Sequence, residues 1–284
     1  MIRKLRNGIL ESIAKTKENK KVFLIFMILN ALVVFSMVRQ FIRGDYENFA
    51  LCILTMILLL LPGLIQVKWA ISIPIPLQVS VLIFIFAAEI LGEIDSFYTK
   101  IPFWDTMLHT INGFLAASVG FSLATILNDD DKITVKLSPF FVAIVAFSFS
   151  MTIGVIWEFI EFFFDMTLGL DMQKDTIVHT ISSIALNPDG LQKPVRIAGI
   201  TSTVVNGQDL GINGYLDIGL IDTMKDLIVN FIGAITFSFV GYLSIKIKGK
   251  YRVFTDSMTV NKASDEEKKK FERLEEKTDS NGER

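Results

Sequence analysis

Cysteine, histidine and net charge are all scarce in this chain. Of its 284 residues one is cysteine, Cys52, and two are histidine, His109 and His179. A single thiol inside an apolar run excludes an intramolecular disulfide framework and a cysteine-based zinc cluster. Two histidines can still serve a haem iron from both sides, but the many-histidine metal boxes of membrane desaturases and oxygenases are excluded. The 28 basic and 30 acidic residues nearly cancel, to a formal net charge of -2, so no basic field is available to hold nucleic acid.

What the chain has in abundance is apolar surface: 51% hydrophobic residues, 24 of them Phe, and a mean hydropathy of +0.48. A soluble domain of this size does not need so much to fill its core. A span of about 20 mostly apolar residues crosses roughly 30 Å of hydrocarbon. Six stretches meet that test, near residues 22–38, 48–67, 77–98, 104–127, 139–166 and 222–247. The first lacks a small-residue cleavage site and is too long for a signal peptide. The fold expected is an all-α membrane protein of about six transmembrane helices, with an extracytoplasmic cap between helices five and six.

Orientation follows from where Lys and Arg collect. Arg3, Lys4, Arg6, Lys15, Lys17, Lys20 and Lys21 precede the first span, and Lys246, Lys248, Lys250 and Arg252 follow the last. Both termini are therefore expected in the cytoplasm of a multi-pass inner (plasma) membrane protein. The chain divides into a basic cytoplasmic N-terminus (1–21), a transmembrane domain (22–247) and a charged cytoplasmic tail (248–284). Within the second, the loop at 167–221 is too long for a simple connector. Its β-branched run into Asn206-Gly207 predicts a small hairpin and hence a folded cap. The mixed-charge tail around 265–277 reads as a solvated, partly helical segment.

Ionisable residues inside spans are costly and point to function by default. On the third span Glu89 and Glu93 share a helix face. On the fourth, Asp105, His109 and Asn112 fall at i, i+4 and i+7. The fifth carries Glu158, Glu161 and Asp165, and the sixth Asp222, Asp226 and Asn230. With alternating span directions, all four stripes lie toward the outer leaflet, where four facing helices can enclose one polar pocket. Each stripe also has a structural reading. Asp105 and Asp222 stand where helix caps stand, and His109 can be a hydrogen-bonded core histidine. Glu158, Glu161 and Asp165 fit that reading less well, because the dipole at a helix C-terminus disfavours carboxylates.

Such an excess of acid needs protons, cations or metal to neutralise it. Lys225 and Arg196 can offset two charges at most. A divalent metal ion of unknown identity is the expected cofactor. An oxygen-rich shell suits Mg, Mn or Ca, while His109 and His179 admit Zn or Fe. The expected ligands are Asp105, His109, Glu158, Glu161, Asp165, Asp222 and Asp226, with Glu89, Glu93, Asn112, His179 and Asn230 as further pocket residues. The partners expected are the bilayer and a lipid or lipid-linked substrate, for a metal-dependent membrane hydrolase or transferase. A proton- or cation-coupled transporter and a membrane sensor are the alternatives. A protonated carboxylate cluster without metal competes with the metal reading.

Three segments taken in order, Trp104-Asp-Thr-Met-Leu-His-Thr-Ile-Asn-Gly-Phe-Leu, Trp157-Glu-Phe-Ile-Glu and Asp222-Thr-Met-Lys-Asp-Leu-Ile-Val-Asn-Phe-Ile-Gly-Ala, carry a resemblance. They resemble the bacterial inner-membrane family typified by the YjdF inner-membrane protein. That family's pattern has an Asp and a His a turn apart before Gly-Phe, then Trp-Glu with a second acid, then an Asp pair leading into Gly-Ala. The resemblance covers residues 75–245. It implies Asp105, His109, Glu158, Glu161, Asp222 and Asp226 as a family site and attaches no activity to them. Asp222-x-x-x-Asp226 is similar to the diphosphate-binding motif of membrane prenyltransferases, but the second acidic motif is missing. Gly211-Ile-Asn-Gly-Tyr lacks the Gly-Lys of a phosphate-cradling loop.

Overall fold

The computed structural model describes residues 2–128, 136–247 and 250–280. Lys248, one of the basic residues that orient the last span, lies outside the described residues. The chain forms two compact units, one made of residues up to Ile153 and from Val229 onward, the other Gly154–Ile228.

The first unit opens with α1 (Ile2–Lys17), α2 (Lys20–Arg43) and α3 (Tyr46–Lys68). Local chemistry sets their ends. The Asn19 side chain accepts from the N–H groups of Lys21 and Val22, and Asp45 from Asn48, so each helix start has its orphan donors satisfied. Between them Gly44 takes the left-handed conformation, φ 74°, and donates to Gln40 and Phe41, as a C-terminal glycine does. A short strand β1 (Ile71–Ser72) precedes α4 (Ile75–Phe86), which begins at Pro74-Ile75-Pro76, prolines being tolerated in a first turn. α4 then widens into a π-helical segment, Ala87–Ile94.

The third span was expected to run to residue 98. It stops at Ile94, because Asp95 ends the π segment and Ser96 turns left-handed, φ 60°, before the one-turn helix α5 (Phe97–Lys100). α6 (Trp104–Asn128) and α7 (Pro139–Leu168) follow. Together with α8 (Leu220–Ile247), introduced below, α2, α3, α4 with its π segment, α6 and α7 make six helices long and apolar enough to cross a membrane. This is an all-α membrane protein, with six candidate spans among the described residues. Their outward faces carry exposed Phe35, Phe140, Phe159 and Phe239, the pattern of helices solvated by lipid.

The second unit takes the last turns of α7, the first turns of α8 and the segment between. That segment is built of short antiparallel pairs: β2 (Ile177–Val178) with β7 (Tyr215–Leu216), β3 (Thr180–Ser183) with β4 (Val195–Ala198), and β5 (Val204–Val205) with β6 (Gln208–Asp209). The β5–β6 connection is Asn206-Gly207, both at positive φ (51° and 82°), which is the two-residue hairpin that the sequence signals.

Beyond α8 the first unit resumes with α9 (Lys250–Met258), β8 (Asn261–Lys262) and α10 (Asp265–Ser280). The tail was expected to be solvated, yet it is anchored at several points. β8 pairs with β1, the Ala263 N–H donates to the Ala70 carbonyl, and Phe271, only 4% exposed, packs with Val67 and Ala263. The main core of this unit gathers Leu77, Leu115, Phe121, Val142, Phe237 and Met258, and a second cluster joins Val22, Val33, Cys52, Leu59 and Leu82.

Candidate functional site

In the first unit, α6 and α8 approach so closely that no side chain fits between them at two points. A Cβ on Gly113 would run into the Asn230 carbonyl, and one on Gly233 into the Thr110 carbonyl. This contact brings Asn112 and Asn230 together, the Asn112 amide donating to Asn230 Oδ1 over 3.3 Å. Asn230 is fully buried and donates in turn toward the Ser150 carbonyl of α7, 3.5 Å away, while Ser150 Oγ donates to the Gly113 carbonyl over 2.7 Å. Both asparagines therefore fasten three spans to one another, the role polar side chains play between membrane helices.

One turn above this clamp, His109 is buried with its Nε2 3.5 Å from Asp105 Oδ1. Asp105 stands in the first turn of α6, where the helix dipole favours a carboxylate, and the i, i+4 spacing places the imidazole on the same face. On the π segment Glu89 is half-buried and Glu93 exposed. At the end of that segment is a pair that inspection of acids alone passes over: Arg39 of α2 donates to Asp95 and, over 3.3 Å, to Ser36 Oγ. A charge of each sign at the ends of the first and third apolar runs was the available signal.

In the second unit three carboxylates lie under a tenth exposed: Glu158 at 4%, Glu161 at 7% and Asp226 at 3%. Glu161 Oε1 accepts from the Trp157 indole N–H one turn earlier, 2.8 Å away, which orients the carboxylate. Asp165 and Asp222 serve the loop instead. Asp165 accepts from the N–H groups of Met172 (2.6 Å) and Gln173 (2.8 Å), folding the chain back over the end of α7. Asp222 accepts from Lys174 N–H at 2.7 Å. The cap of α8 comes from Asp217, which takes the N–H of Ile221 and also that of Thr176, a role the sequence reading had offered to Asp222.

His179 is exposed, its Nδ1–H donating to the Ile200 carbonyl over 3.0 Å. Lys225 and Arg196 are both exposed. Nearby Asp175 is raised from its ordinary value by partial desolvation and by the negative charges of Asp171, Asp217 and Asp165, against one backbone bond from Gly219. The sense is that of an acid made weaker by folding, so ionising Asp175 costs this unit stability as pH rises past the unfolded value.

Six apolar helices, a buried asparagine clamp and acids at the span ends define a multi-span helical membrane protein. The chain belongs to the family described as "Predicted membrane protein (DUF2238)", which matches residues 22–246 and so takes in all six spans and every expected site residue. This agrees with the resemblance of its motifs to the YjdF-like membrane proteins. Neither a curated protein nor a solved structure matches it.

Proposed function

We propose that this protein is a divalent-metal-dependent membrane enzyme acting on a lipid or lipid-linked substrate. One observation carries the reading: Glu158, Glu161 and Asp226 are three carboxylates held nearly out of solvent in one compact unit, on two membrane-spanning helices. An uncompensated charge costs about 2.5–3.5 kcal/mol at the centre of a span even on the lower scales, and less toward its end, so such carboxylates call for a compensating partner. An oxygen-rich set of this kind suits Mg, Mn or Ca. The Asp105–His109 pair is a second donor set, whose imidazole extends the choice to Zn or Fe. Asp165 and Asp222 are further donors on this reading, each oxygen having a lone pair beyond its backbone bond. A divalent ion held there would supply a Lewis acid and an activated water. Glu158 and Asp226 would then hold the ion, and Glu161, oriented by Trp157, would be the carboxylate left to accept a proton. The same reading sets the protein in the inner membrane with both termini cytoplasmic, the basic residues flanking the first and last spans supporting that orientation.

The test is elemental mass spectrometry on protein purified in mild detergent, with Glu158→Ala and Asp226→Ala alongside. The reading expects bound divalent metal in the native chain and its loss in both variants. Normally folded protein without metal in any of the three would sink it.

A second reading, a proton- or cation-coupled transporter, is favoured by one feature, the π-helical break in the third span, which carries Glu89 in its first turn. Such breaks often mark functional positions. Uptake into proteoliposomes that depends on a cation gradient and is lost in Glu89→Gln is its signature.

A further inference from the structure

We infer that the first unit holds a phospholipid at a defined place, an acyl chain lying in a groove between α6 and α8 and an anionic headgroup meeting Lys246 and Arg252. The groove has a volume of about 200 Å³ and is lined by Thr110, Ile111, Phe114, Gly233 and Thr236. An apolar cavity of roughly 150 Å³ already accepts a molecule the size of benzene, so this one takes several methylenes.

Two threonines in the lining do not make it polar. Thr110 Oγ1 donates to its own helix at the Thr106 carbonyl, and Thr236 Oγ1 to the Ile232 carbonyl, both over 2.7 Å. With each hydroxyl proton given to the backbone, the lining has no side-chain donor left for a polar ligand, and most of what the groove offers is hydrocarbon. Gly233 supplies its depth, since the missing side chain is what lets the two helices meet behind it.

α9 packs against the lining at Phe114. Phe114 stacks edge-on against Phe254, ring centroids 6.3 Å apart, and against Phe237 at 5.0 Å. α9 buries Thr255 and Met258 while it exposes Val253 (73%), Tyr251 and Phe254, so this short helix shows aromatic and aliphatic side chains, as α8 does at exposed Ile247. That is the form of a helix seated in the membrane interface. It carries Arg252, largely exposed and 3.7 Å from the equally exposed Asp256, and near the end of α8 stands exposed Lys246, which donates to the Tyr242 hydroxyl over 2.9 Å; in both, the exposed cation keeps N–H donors for a phosphate.

Length decides the occupant. Ten residues separate Thr236 from Lys246, about 15 Å along the helix at 1.5 Å per residue. Half of a hydrocarbon core roughly 30 Å thick is the same distance. A lipid of the leaflet next to Lys246 thus reaches the groove with its tail while its phosphate meets the cations, and negative charge is drawn to that surface by Coulomb attraction. This inference does not rest on the metal reading, and its residues are none of the proposed donors.

The experiment is native mass spectrometry of the full chain in mild detergent, with phosphatidylglycerol or phosphatidylcholine added. One retained phosphatidylglycerol per chain is expected, held in preference to phosphatidylcholine. Thr236→Phe fills the groove; displacing about two methylenes at ~0.8 kcal/mol each lowers retention of both lipids roughly tenfold. Thr236→Val, which keeps the methyl surface, should retain lipid as the native chain does. Arg252→Gln with Lys246→Gln should remove the preference between headgroups and leave the tail contact. Thr236 lies on an exposed face, and Ile111→Trp on the groove's rim gives a second block should Thr236→Phe not fold. Equal retention in the native chain and a folded groove-filling variant would overturn the inference, as would indifference to headgroup in the native chain.

Discussion

Single residues explain why membrane helices of this chain meet where they do. Gly113 and Gly233 are positions where a helix-favouring Ala would ordinarily add about 1 kcal/mol of stability over Gly. Here the added Cβ meets a carbonyl of the neighbouring span. Gly113→Ala is therefore expected to lower the stability of detergent-solubilised protein by roughly 1–3 kcal/mol, the usual cost of overpacking. A melt followed by circular dichroism checks this; unchanged or raised stability would mean the two helices are not in contact at that point. The same scale separates the acids by what they touch. Asp165, Asp217 and Asp222 bond backbone N–H groups of a loop or helix start, whereas Glu158, Glu161 and Asp226 are buried on the helices themselves.

At the scale of elements, the C-terminal helix turns out to be a latched part. Glu267 is the hub: it accepts from Ser264 N–H (2.9 Å) and Oγ (3.1 Å), from Ser72 Oγ (3.2 Å), and lies 3.9 Å from Lys15. Lys15 also sits over the Phe271 ring, 4.7 Å from its centroid. Burial alone would raise the Glu267 carboxyl, but these bonds and the Lys15 charge outweigh it and hold the group below its ordinary 4.5. A carboxyl depressed by folding contributes stability above its unfolded value and loses it as pH falls through the folded one. Limited proteolysis of α10 should therefore be slow and flat from neutrality to about pH 5, then accelerate on further acidification. Glu267→Gln should flatten that acid dependence; an unaltered pH profile in the variant would show that another group holds the helix.

For the whole molecule the open variable is which way it faces, and its single cysteine makes that measurable. Cys52 is completely buried, so an impermeant maleimide should leave the native chain unlabelled. A cysteine placed in the segment between spans five and six, Ser202→Cys, is expected to label in intact cells, and one on α10, Glu272→Cys, only after permeabilisation. Labelling in the opposite order would reverse the assignment that the flanking Lys and Arg residues give.

The six spans were legible from composition and length, since nothing but a helix satisfies its backbone through hydrocarbon. The Asn206-Gly207 hairpin was legible for a similar reason, two positive φ angles in a row admitting few residues. Other features had no local signature. Asn112 and Asn230 read as pocket residues, but their burial against Ser150 and Gly113 comes from contacts 37 to 118 residues apart in the chain. The docking of α10 was hidden because a mixed-charge helix with one Phe looks solvated until β1, Lys15 and Val67 are beside it. Sequence alone determined which segments enter the membrane, because that depends on the transfer energy of each segment by itself. Only the tertiary structure decided which polar groups inside it are fasteners and which are buried acids, because a buried polar group takes its role from partners that lie far away along the chain.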